Sequence, residues 1–357
     1  MLRKISFLVL LFALFAVPVY AEDTDVIRIP YNAALRAAQN NLPAITRFDE
    51  LIENMQDTRE DLRRLYAVLV RLEETTQEEL DEIDQQIAEL SANIQLMGIN
   101  KEMSRISTEL TMRNALTSIA NTELDIRLSE ARLEQDRTNL HVAELRFEAG
   151  LISETALREA ELDLQQNEAN LYALNTTLVG DRQNLNRIIQ RTLTGNYYIV
   201  YERELTDLPA NLNNFINQRV NRQPTVRIAD INLSRARVAL RQFETAFGST
   251  ERAVRERAVT QAERERAEAI HNIEAAMRSQ YNTLTTILRS NESLEIDLQR
   301  ATERRDSVII SYEAGFATAF DVAAAELAIL AAEIGIERNL NNFWNLQFLF
   351  VNPFLVS

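Results

Sequence analysis

One segment occurs twice in this chain, and that limits the folds available to it. Phe147-Glu148-Ala149-Gly150-Leu151-Ile152-Ser153 returns as Tyr312-Glu313-Ala314-Gly315-Phe316-Ala317-Thr318, at an offset of 165 (312 − 147). The offset persists beyond the turn, because Ala160-Glu161-Leu162 returns as Ala325-Glu326-Leu327. Each copy lies between two stretches rich in strong helix formers. A duplicated helix–turn–helix implies two copies of one long hairpin unit.

Proline marks where the helices stop. Beyond Pro18 it occurs only at Pro30, Pro43, Pro209, Pro224 and Pro353. Residues 44–208 and 225–352 therefore hold no breaker of that kind. They are dominated by Ala, Leu, Glu, Gln and Arg, which favour helix.

The apolar residues follow a heptad. Leu157, Ala160, Leu164, Leu171, Leu174, Leu178, Leu185 and Ile188 are spaced by three, four and seven. Val322, Ala325, Ile329, Ala332, Ile336, Asn339, Phe343 and Leu346 alternate three and four, as do Leu284, Ile287, Asn291, Leu294, Leu298 and Ala301. A mean spacing of about 3.5 keeps one narrow stripe against a partner helix. In the first half, one seam (Leu62, Leu65, Leu69, Leu72) is out of phase with the next (Leu80, Ile83, Ile87, Leu90, Ile94, Met97). Glu73–Glu78 lies between them. This predicts a turn with Thr76 capping the following helix and Glu79 reaching back in a capping box; a turn at Gly98 is the alternative. The matching turn is expected at Gly248-Ser249-Thr250.

Strands are expected at Tyr197–Tyr201 and Val26–Ile29, with a short helix over Leu212–Arg222. The fold class is thus all-α: long antiparallel coiled-coil hairpins in two tandem repeats, with a small mixed α/β equatorial segment. The domains read as a signal peptide over 1–21, a first repeat over 22–195, a linker over 196–222 and a second repeat over 223–357. The signal is read from Arg3 and Lys4, the apolar run Ile5–Val17 and the cleavage motif Val19-Tyr20-Ala21.

Charge and composition exclude several functions. The net charge is −15, and an acidic chain is not built for nucleic acid. Cysteine is absent, which excludes disulfides and lipidation on an N-terminal cysteine. The two histidines, His141 and His271, have no partners at metal-ligand spacing, and no glycine-rich phosphate loop occurs. No catalytic, cofactor or metal site is read, and the chain is not expected to be an enzyme.

The turns have their own chemistry. Gly150 and Gly315 permit a positive φ, and Ser153 and Thr318 can cap the returning helices. Phe147, Leu151, Tyr312 and Phe316 would leave apolar surface at an exposed end. Such a surface suits a partner, or else a hydrophobic staple in an ordinary hairpin.

In this order the chain resembles the TolC-like outer-membrane efflux and secretion ducts. The likeness rests on Tyr31-Asn32-Ala33-Ala34-Leu35 through Asn40-Asn41-Leu42-Pro43, on Arg222-Gln223-Pro224 through Ala229 and Leu240, and on the two Phe/Tyr-x-x-Gly-x-x-Ser/Thr turns. It implies a homotrimeric α-barrel in the periplasm or at the outer membrane, meeting a periplasmic adaptor and an inner-membrane pump in efflux or type I secretion. It also implies that Arg146, Phe147, Gly150, Leu151 and Ser153 form one adaptor-facing turn, and Tyr312, Gly315, Phe316 and Thr318 the other. Asp321 would face the duct axis at the pore entrance, or else be a solvated helix-start residue. The pattern is incomplete, since the next acidic position reads Ala324 and a basic one reads Ala317.

The family's membrane strands are missing from the sequence. Charged, helical segments such as Glu251-Arg252-Ala253-Val254-Arg255-Glu256-Arg257 stand where apolar–polar alternation is needed. The expectation is an α-barrel without a transmembrane β-barrel, which leaves room for an outer-membrane partner at the strandless end. The competing function is a non-conducting envelope spacer or adaptor.

Overall fold

The computed structural model describes residues 27–40, 42–72, 76–190, 197–203, 207–243 and 249–356. The expected signal peptide lies outside them. Eight α-helices are present among the described residues: α1 (Tyr31–Asn40), α2 (Pro43–Leu69), α3 (Gln77–Glu148), α4 (Glu154–Ile188), α5 (Leu212–Arg219), α6 (Pro224–Phe243), α7 (Ser249–Glu313) and α8 (Ala319–Val351). α3 has 72 residues, about 108 Å at ~1.5 Å per residue, and α7 has 65, about 98 Å.

The heptad positions make the helix contacts. No named seam residue on α4, α7 or α8 is exposed. The seam on α2 is only half covered: Leu62 and Leu69 are partly buried, but Leu65 and Leu72 are exposed. α2 is an edge helix and stops at Leu69, so Leu72 has no helical face to share.

In the tip-side half the packed pairs run α4–α3–α8–α7, and in the other half α2–α3–α6–α7. The helices form a layer, with α7 at one edge throughout and α4 or α2 at the other.

The α2–α3 turn is capped as predicted. Thr76 Oγ1 accepts from Glu79 N at 3.4 Å, and Glu79 Oε2 accepts from Thr76 N at 2.9 Å. Gln77 and Glu78 already belong to α3, residues 73–75 lie outside the described residues, and α3 passes through Gly98 without a break. The second turn is corrected. Ser249 and Thr250 belong to α7, α6 ends at Phe243, and Gly248 lies outside the described residues. No transmembrane strand pair occurs at either place among the described residues.

The equatorial segment draws on both repeats. β1 (Ile27–Pro30) pairs in parallel with β2 (Tyr197–Val200), in the register Ile27↔Tyr197. Together with α1 they bury Met112, Ala115 and Leu116 of α3, Leu185 of α4 and Trp344 of α8. α5 and the 3-10 turn Val220–Arg222 cover Ile273, Met277 and Leu284 of α7 with Phe343 and Phe350 of α8. The helix expected over Leu212–Arg222 is thus α-helical to Arg219 and tightens beyond it.

Arg113 fixes the waist. Its guanidinium lies 4.2 Å from the Trp344 ring and 4.5 Å from Phe348, and its Nε donates to Glu109 at 3.1 Å. The Tyr31 hydroxyl donates to the same carboxylate at 3.2 Å. Burial pushes the Tyr31 phenol well above its ordinary value, and Tyr201 upward as well.

Candidate adaptor-facing tips and duct edges

The two tips are built from the same backbone bonds. In the first, Ala149 N donates to Leu145 O (3.1 Å), Gly150 N to Phe147 O (2.8 Å) and Leu151 N to Arg146 O (2.8 Å). In the second, Ala314 N donates to Ile310 O (3.1 Å), Gly315 N to Tyr312 O (2.9 Å) and Phe316 N to Ser311 O (2.8 Å). Every pair is displaced by 165 residues. The bond spanning six residues closes a helix in a Schellman turn, which needs a left-handed residue. Gly150 and Gly315 supply it, at φ 70° and 79°. A Cβ at either position would meet nothing within 4 Å, so backbone conformation alone selects glycine there.

The returning helices are capped differently. Ser153 Oγ accepts from Ala156 N at 3.2 Å and receives no reciprocal bond, because its partner position is an alanine. Thr318 Oγ1 accepts from Asp321 N at 3.2 Å, while Asp321 Oδ2 accepts from Thr318 N and Thr318 Oγ1, each at 2.7 Å. These bonds hold the Asp321 carboxyl below the ordinary aspartate range. A capping box is thus a local reason for Asp321, independent of any pore.

The apolar tip residues face solvent. Phe316 is 90% exposed and Leu151 74%; Phe147, Tyr312 and Arg146 are exposed as well. Sequence reasoning missed Leu145 and Ile310. Both are exposed, and the same offset relates them (310 − 145), which was the available signal.

The layer edges carry a second set. On α4, Leu162, Tyr172 and Val179 are exposed; on α7, Leu288, Ile296 and Ile310 are. Measured from the tip glycines, Tyr172 and Ile296 stand about 33 and 28 Å up their helices, and Val179 and Leu288 about 43 and 41 Å, at ~1.5 Å per residue. The apolar positions of the two edges therefore match in height.

Comparison with known proteins identifies the architecture. The sequence matches no protein-family profile and no curated protein. Solved structures do match. The outer membrane protein VceC from Vibrio cholerae aligns over 90% of this chain and 94% of its own, with a TM-score of 0.65 at 10% identity. The Campylobacter jejuni CmeC outer membrane channel aligns over 90% and 84%, with 0.63 at 11%.

The chain has a TolC-like fold.

The open state of the Neisseria gonorrhoeae MtrE outer membrane channel gives the same result, with a TM-score of 0.58 at 12% identity over 89% of this chain and 87% of its own. The TolC-like layer is kept at an identity where few individual side chains are shared. No helix among the described residues is long and apolar enough to cross a membrane.

Proposed function

We propose that copies of this chain join edge to edge into a homotrimeric α-helical conduit that serves export across the cell envelope. One observation carries the reading: the helices form an open layer whose two edges expose apolar side chains at matching heights, Tyr172 and Val179 against Ile296 and Leu288. A closed bundle would bury those positions within one chain. Contact between unlike edges is head-to-tail, and such contacts close into rings when the rotation allows.

In this reading the chain is secreted into the periplasm and its tips meet a periplasmic adaptor bound to an inner-membrane pump, as in efflux or type I secretion. The exposed Leu151 and Phe316 would be the apolar anchors, flanked by Phe147 and Tyr312. The neighbours described as outer-membrane channels support the conduit. Three copies of Asp321 would ring the entrance while capping α8. At the other end, only seven residues separate Leu69 from Gln77 (70–76), too few for two membrane strands of about ten residues each. Attachment to the outer membrane there would fall to a partner protein.

The deciding experiment is the solution mass of residues 22–357, purified without detergent, by light scattering after gel filtration. An elongated trimer is expected. A monomer would leave a non-conducting spacer as the function.

A further inference from the structure

The repeat also governs a face that neither the tips nor the edges use. Met112 on α3 and Met277 on α7 are related by the 165-residue offset (277 − 112) and are both fully buried beneath the equatorial segment. Nine residues on from each lie Asn121 and Thr286, about 180° around the helix at ~100° per residue. The side chains on that opposite face form a row. Asn114, Ser118 and Asn121 on α3 return as Ser279, Thr283 and Thr286 on α7. Ser107 and its counterpart Asn272 extend it toward the strandless end.

The row residues themselves are uncharged, and the carboxylate of Asp181 on α4 reaches them through Ser118 and Thr122. Between residues 106 and 122 the only exposed residues of α3 are Ser107, Thr111, Asn114 and Ser118, in a protein where 25% of residues are charged. Its hydrogen-bonding groups are largely occupied. Ser118 donates to Asp181 at 2.9 Å, Thr283 to Ser279 O at 3.1 Å and Thr286 to Asn282 O at 2.9 Å. Asn114 and Asn121 accept from Asn345 and Asn341 of α8 at 3.2 and 2.8 Å. The row ends at Asp125, which is paired with Arg338.

We infer that this face lines the conduit at mid-height as a neutral, hydrated corridor that passes polar cargo without sorting it by charge. The inference rests on the conduit reading. A ring has less room inside than outside, so the added bulk of β1, β2, α1 and α5 belongs on the outside and the opposite face turns inward. A wall of hydroxyls and amides, with the Asp181 carboxylate held by Ser118 and Thr122, offers only a weak field and no apolar surface to hold what passes.

The absence of cysteine makes the test direct. Asn114→Cys and Ser279→Cys probe the row, and Asn217→Cys on the exposed side of α5 is the control. In the oligomer a small maleimide is expected to label all three, and a long polyethylene-glycol maleimide only the control. With a fluorophore on either row position, iodide and caesium should quench within about twofold of each other, as a weak local potential requires. Caesium ahead by about tenfold would reveal an acidic lining and overturn the inference. So would labelling of the row by the long reagent in a confirmed trimer, which leaves the ring standing but puts the row outside it. A monomeric mass in the same sample would remove the conduit and the corridor together, and the mass measurement separates the two failures.

Discussion

Met112 and Met277 occupy the same place in two halves of one chain: 165 residues apart, both with 0% exposure, each under a different part of the equatorial segment. The first lies among Ile29, Ala34 and Ile199, the second among Ile216, Val220 and Phe350. Truncation at either leaves a cavity, because close-packed surroundings relax only in part. Met112→Ala and Met277→Ala should each cost about 3 kcal/mol. The two clusters are separate, so the double variant should cost about the sum. Urea unfolding measures the total, and hydrogen exchange should show each loss confined to its own half of the waist.

The layer edges give a prediction about assembly. Tyr172 is 77% exposed on α4, and Ile296 lies at a similar height on α7. A charge on either side would have to be desolvated in an edge-to-edge contact, and uncompensated burial of an ion is costly. Tyr172→Asp and Ile296→Asp should therefore lower the solution mass to that of a monomer while helical circular dichroism is unchanged. A full-size oligomer in both variants would place the contact elsewhere.

The capping boxes predict how the tip responds to acid. The carboxyls of Asp321 and Glu79 are held below their ordinary values by bonds from Thr318 and Thr76. A depressed folded-state value means the stabilisation is present above the ordinary 3.8 of Asp321 and is lost as pH falls through the lower folded value. The first turn of α8 should then fray below about pH 4, with faster amide exchange at Asp321 and Val322. Thr318→Ala should produce that fraying at neutral pH. The Ser153 tip has no carboxylate in its cap and should change little over the same range.

Asn291 stands in the α7 seam between Ile287 and Leu294, and its Oδ1 is buried without a partner. A polar residue at a seam position costs stability and fixes the pairing of helices. Asn291→Leu should raise the unfolding free energy by about 1 kcal/mol, the desolvation penalty removed. A drop in stability would mean that the amide makes a bond worth more than that penalty.

Much of the fold was legible in local chemistry. The heptads of α4, α7 and α8 gave helices and their buried faces, because a period near 3.5 admits one stripe. The capping box at Thr76 marked the start of α3 through two side chains three residues apart. The tip glycines announced a left-handed residue, and the offset of 165 announced two units. Ser249 and Thr250 of the expected turn belong to α7 instead, because Ser and Thr can either cap a helix or enter its first turn, and sequence alone does not choose.

The parallel pairing of β1 with β2 was not legible, since four-residue strands 170 positions apart (197 − 27) carry no register signal. Nor was the place of Trp344 beside Arg113, which depends on α8 of the second repeat packing against α3 of the first. Asp321 belongs to the local side of this division: three residues after Thr318, its carboxylate closes a capping box within one turn. Sequence by itself determined the helices, their seams and the two tips, because these follow from contacts a few residues apart. Only the tertiary structure decided that the helices form an open layer with two unlike edges, because that depends on which faces are left over once each helix has met its neighbours.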